Sequence, residues 1–118
     1  MEIKNGKIES VKLYREVHGI LTFSIMIQAY RCGFDYGGYA LDEPGENYER
    51  VYSASGLEAI ARIMDTVEVN AWEDLPGKYI RWIDDGLGKP VDIIGHIIDD
   101  KWFNIREFFA NKHKEDEQ

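Results

Sequence analysis

The sequence predicts an α+β domain. We expect an antiparallel sheet of about five strands with two main helices on one face, in the order β-β-β-α-β-β-α. Three observations carry this expectation. Residues 20–30 alternate with a period of two, with Leu21, Phe23, Ile25, Ile27 and Ala29 all apolar at the odd positions. Ser55 and Glu58 stand at capping-box spacing, ahead of Leu57, Ile60, Ala61 and Met64 at helical intervals. Lys78–Ile83 and Val91–Ile98 flank Asp84-Asp85-Gly86-Leu87-Gly88-Lys89-Pro90, a segment with hairpin-loop chemistry.

The elements follow in order. Lys7–Arg15 reads as a strand in which Ile8, Val11 and Leu13 change parity, and such a change predicts a bulge or a strong twist. His18-Gly19 makes the turn into the strand at 20–30, whose even positions are half polar: Thr22, Ser24 and Gln28 beside Ile20, Met26 and Tyr30. A partner subunit could cover that face, so a homo-oligomer is one expectation. A third strand is placed through Tyr39-Ala40-Leu41, ending at Glu43-Pro44-Gly45-Glu46 in a type II turn. After the first helix, Asn70-Ala71-Trp72-Glu73 repeats the capping pattern, but Pro76-Gly77 leaves room only for a short helical turn. Asn104-Ile105-Arg106-Glu107 offers a third box before a helix with Ile105, Phe108 and Phe109 inward. The domain is expected to span residues 1–111, with 112–118 as a polar, fraying tail.

Composition bounds the function. The chain has 118 residues, 44% hydrophobic and 13% aromatic, enough for one core. Fourteen Lys and Arg against 22 Asp and Glu give a net charge of −8, which argues against general nucleic-acid binding. Cys32 is the single cysteine, so neither an internal disulfide nor a Cys-based zinc site can form, which suits a cytoplasmic location. No apolar segment reaches the ~20 residues of a membrane span, and the N-terminus lacks a signal-peptide pattern.

No P-loop, zincin or serine-hydrolase motif is present. His18, His96 and His113 lack zinc spacing, and His96 reads as a hydrogen-bonded structural imidazole. The paired acids Asp42-Glu43, Glu73-Asp74, Asp84-Asp85 and Asp99-Asp100 read as turn and cap residues. The chain is therefore expected not to be an enzyme, and no cofactor is implied. The segment Tyr30–Tyr39 holds four aromatics, Arg31 and three glycines between strands. Tyrosines stack on flat ligands and Arg pairs with anions. His18, Arg31, Tyr36 and Tyr39 are thus the candidate ligand-binding residues, for a nucleotide-type molecule; an irregular hairpin completing the core is the alternative.

The blocks His18-Gly19-Ile20-Leu21-Thr22, Gly37-Gly38-Tyr39-Ala40-Leu41-Asp42, Gly56-Leu57-Glu58-Ala59-Ile60, Trp72-Glu73-Asp74-Leu75 with Gly77-Lys78-Tyr79-Ile80-Arg81, and Gly95-His96-Ile97-Ile98 with Lys101-Trp102-Phe103 carry a resemblance. The chain resembles a family of small, uncharacterised proteins encoded by bacteriophages and prophages, over roughly residues 7–110. It departs from that family before Gly37, where Phe34-Asp35-Tyr36 stands in place of a glycine-richer stretch. The resemblance implies a non-catalytic phage accessory protein that counters host defence by binding, in the host cytoplasm. Its partner would be a nucleotide-type signal that it sequesters or a host defence protein that it blocks. Two alternatives stand beside this: a small enzyme using His18 or His96 with a carboxylate in acid–base chemistry, and a phage structural or assembly protein.

Overall fold

The computed structural model describes residues 1–116, with side chains through Lys114. Eight strands and two helices follow one another as β1 (Glu2–Arg15), β2 (Leu21–Ala29), β3 (Cys32–Gly37), β4 (Asp42–Pro44), β5 (Arg50–Tyr52), α1 (Ala54–Val67), β6 (Tyr79–Asp84), β7 (Ile93–His96), β8 (Trp102–Asn104) and α2 (Ile105–Asp116). Six strands form one antiparallel sheet in the order β3-β2-β1-β6-β7-β8, and β4 pairs with β5 in a separate ribbon. The α+β class stands as the sequence predicts. No described helix is long and apolar enough to cross a membrane.

The core forms where the alternation of β2 points. Phe23, Ile25 and Ile27 are buried and face Leu13, Val11 and Ile8 of β1. The parity change in β1 is a register shift between Ile8 and Ser10, which lets both halves of the strand turn apolar side chains to the same face. Gly6 has a steric role: a Cβ there would lie 2.7 Å from Ile27 Cγ2, and across this bare position Phe34 and Trp82 meet with ring centroids 4.6 Å apart. Ile60 and Ile63 of α1 and Ile105 of α2 close the core over the sheet.

Several elements differ from expectation, each for a physical reason. Tyr39-Ala40-Leu41 is not a strand; the third strand is β3, inside the segment read as a loop, paired to β2 from Ser24↔Gly37 to Ala29↔Cys32. Its glycines mask strand character. The chain after Gly37 is held irregularly, by Leu41 N–H on the Leu21 carbonyl (2.8 Å) and Thr22 Oγ1 on the Tyr39 carbonyl (2.7 Å). Pro44-Gly45 forms no type II turn, because Gly45 sits at φ −106°; a 3-10 turn at Glu46–Tyr48 links β4 to β5 instead. The Ser55 box is not made either. Helix α1 begins two residues earlier, with Ser53 instead of Ser55 at the N-cap position and no side-chain cap, while Glu58 pairs with Arg62 and Lys112. The buried stripe of α1 is Gly56, Ala59, Ile60, Ile63 and Val67, so Leu57 and Ala61 point outward. By contrast, Asn104 Oδ1 does cap α2, accepting the Glu107 N–H at 3.0 Å. Helix α2 continues through Lys112 as far as Asp116, and the last two positions of the expected tail lie outside the described residues.

Candidate functional site

The four residues selected from the sequence do not converge. His18 lies in the exposed β1–β2 turn, where its Nδ1 and Glu16 Oε2 are 2.9 Å apart. Arg31 lies at the opposite end of β2, in left-handed backbone (φ 65°) beside the ring of Tyr30. The nine-residue strand between them spans roughly 30 Å. Tyr36 is 0% exposed and packs on Phe23 in the core. Burial there pushes its ionisation well above the usual tyrosine range. Tyr39 is half-buried: it stacks on Phe109 and donates a hydrogen bond to Asp92 Oδ1 at 2.7 Å. It pins the end of β3 to the approach of β7 and to α2. Burial, with that bond to Asp92 second, raises its pKa, so the hydroxyl stays a donor. Segment 30–39 thus contains a strand paired with β2, with Tyr36 in the core and Tyr30 84% exposed.

The polar clusters elsewhere hold the fold. Asp42 is buried and takes Arg50 Nη2 on Oδ1 at 2.5 Å, the Leu21 N–H on Oδ2 at 3.2 Å, and Arg15 Nη1 at 3.6 Å. The hydrogen bond from Arg50 is the main cause that holds its carboxyl below the ordinary range. A second cluster joins the end of α1 to the turn between β7 and β8. His96 Nδ1 accepts the amides of Ile98 (3.1 Å) and Asp99 (2.9 Å), so the ring proton sits on Nε2 and points at Glu68 Oε2, 2.5 Å away. Lys101 Nζ donates to Glu68 Oε1 at 2.9 Å and to the Asp65 carbonyl at 3.3 Å. Glu68, His96 and Asp99 offer ligand atoms within 4.8 Å of one another, the spacing of a metal site. Their directions do not fit one ion. Asp99 faces Nδ1, whose lone pair two amides already use, while Glu68 faces the protonated Nε2. His96 is thus the structural imidazole that the sequence suggests.

The surface that stands apart is apolar. A groove of about 190 Å³ runs between the C-terminal half of β1 and the start of α1, lined by Leu13, Leu21, Leu41, Tyr52, Leu57 and Ile60 among others. Around it, Leu13 is 48% exposed, Leu57 74% and Tyr52 90%, with Val51 and Tyr48 exposed nearby. Gly56 sets its floor, because the first turn of α1 rests directly on the Leu41 carbonyl and leaves no room for a Cβ. Beside the groove, β1 has an open edge. On one side it pairs with β2 as far as Arg15; on the other it pairs with β6 only from Glu2 to Lys7, and the Ile8 backbone bonds Gly77 and Lys78. From Ser10 to Arg15 no described strand covers that second side.

Sequence reasoning missed this surface. The helical spacing puts Leu57 on the apolar stripe with Ile60, whereas it is 74% exposed. A signal was present in Tyr48, Val51 and Tyr52, three large apolar residues within five positions of an otherwise charged segment. No family model, curated protein or solved structure matches the chain.

Proposed function

We propose that this chain is a non-catalytic protein that acts by binding another polypeptide through the groove between β1 and α1. The observation that carries the reading is the cluster of Leu13, Tyr52 and Leu57, exposed side by side around an apolar groove and next to an uncovered strand edge. Water is a poor solvent for such a surface, and large apolar patches rimmed by polar groups mark protein–protein contacts. An open edge adds backbone donors and acceptors that an extended segment can pair with.

The placement of the polar residues supports binding over acid–base chemistry. His18 with Glu16 closes a turn, and His96 with Glu68 anchors a helix end, so both His–carboxylate pairs serve structure. It also weighs against sequestration of a nucleotide by His18, Arg31, Tyr36 and Tyr39. In the phage setting that the resemblance implies, blocking a host protein is the mechanism this surface suits. The test is the double variant Tyr52→Ser, Leu57→Glu. It is expected to fold and melt like the parent while losing its protein contacts in the host cell; unchanged contacts would refute the proposal.

A further inference from the structure

We infer that the open edge of β1 receives a second copy of the same chain, β1 against β1 in antiparallel register centred on Lys12. The inference rests on the interaction-surface reading above and names the occupant of its strand edge, while the groove beside it stays open to the host protein. Its basis is the order of residues along the edge: Glu9, Ser10, Val11, Lys12, Leu13, Tyr14, Arg15.

Read against its own reverse, this segment is self-complementary. With Lys12 on the two-fold axis, Glu9 of each copy meets Arg15 of the other, and Val11 meets Leu13. The pairing with β2 shows that the faces agree. Val11 and Leu13 lie opposite Ile25 and Phe23 on the core side, while Ser10, Lys12 and Tyr14 lie opposite Met26, Ser24 and Thr22 on the far side. A two-fold of this kind puts core-side residues beside core-side residues, as an isologous interface requires. The second copy's Val11 would thereby extend the groove wall at Leu13, now 48% exposed, toward Leu57. Moving the centre by half a residue would set apolar against polar faces, which excludes those registers; moving it by a whole residue keeps the faces but opposes Glu9 to Leu13 or Val11 to Arg15.

Charge fits as well. Exposed Glu9, at the register shift of β1, and Arg15, which within its own chain reaches the Gly19 carbonyl (2.9 Å) and lies 3.6 Å from Asp42, would form two cross-pairs per dimer, opposite in sign and at the outer ends of the contact. The one like-charged contact is Lys12 with itself, and there each ammonium is already drawn over its own Tyr14 ring, 4.3 Å from the centroid. For a chain of net charge −8, an edge holding two cations and one acid is locally basic, which lessens the repulsion between two acidic copies there.

Two measurements on the full chain test this. Sedimentation velocity should give a particle of twice 13.7 kDa that falls back to monomer at high dilution. The variant Leu13→Asp, confirmed folded by circular dichroism, should weaken association at least tenfold. Register is read by a disulfide in a Cys32→Ser background. Lys12→Cys places two thiols across the axis, where directly opposed residues have Cα atoms ~4.5–5.5 Å apart, within disulfide reach. It should cross-link under mild oxidation far faster than Leu87→Cys, an exposed loop position. A chain that stays monomeric at every concentration overturns the inference, as does a dimer in which Lys12→Cys cross-links no faster than Leu87→Cys. The two readings fail separately. A monomer whose host contacts vanish with Leu57→Glu removes the second copy but keeps the interaction surface. A dimer that keeps its Lys12→Cys cross-link beside host contacts that ignore Leu57→Glu removes the host surface but keeps the second copy.

Discussion

The two ends of α1 are built on opposite principles. At its C-terminal end, polar groups meet partners: Glu68 takes His96 and Lys101, Lys101 also reaches the Asp65 carbonyl, and His96 accepts two turn amides. At its N-terminal end the helix has no side-chain cap, and the residues that flank it, Tyr52 and Leu57, face water. A finished end of this kind holds the fold together. An apolar end left open does not add to stability in the isolated chain, because exposed Leu and Tyr contribute their burial only once something covers them. On the proposed reading, stability and binding reside on the same helix, about 14 residues apart.

That contrast can be broken at several points. The largest effect is expected from Gly56→Ala, which drives a Cβ into the Leu41 carbonyl; backbone cannot step aside as a side chain can. We expect a loss of about 3 kcal/mol, a fall in Tm on the order of 15 °C by calorimetry. Next comes Asp42→Asn, which takes away the buried negative charge that Arg50 and Arg15 face and should cost about 2–3 kcal/mol in urea unfolding. Asp42 has a lowered folded pKa, so its stabilisation is present above the unfolded value near ~3.9 and lost as pH falls through the folded value. The Asn variant should therefore lose part of the acid-side slope of stability. Asp84 and Glu68, also lowered by Lys4 and Lys101, keep the remainder.

His96→Ala sharpens the other side of the comparison. It strips the acceptor from the Ile98 and Asp99 amides, with an expected cost of about 1–2 kcal/mol and faster hydrogen exchange at those two positions. Protein contacts at the far end of the helix should be untouched. The smallest change in stability belongs to Tyr52→Ser with Leu57→Glu, within about 0.5 kcal/mol of the parent, since neither side chain is buried.

Much of the fold was legible because local rules and tertiary packing agree there. The alternation at 20–30, the parity break after Ile8, the short turn after Ala71 and the Asn104 cap each record a choice made within a few residues. What stayed hidden depends on distant partners. Gly33 and Gly37 obscure β3, whose existence rests on the edge of β2. Strand β8 is three residues long and is defined by its pairing with β7; Gly95 leaves the space that the Trp102 ring fills. Leu57 and Ile60 look equivalent on a helical wheel, and only the position of Leu41 under Gly56 fixes which of them turns inward. The Tyr36 and Tyr39 side chains carried ligand-binding chemistry in the sequence, but the core and Asp92 claim them first.

The most direct test compares the two ends of α1 in living cells. A photo-crosslinking amino acid replaces Leu57 in one variant and Ile98, equally exposed beside the His96 turn, in another. The account predicts protein adducts from position 57 and none from position 98. Adducts at both positions alike, or at neither, would contradict it.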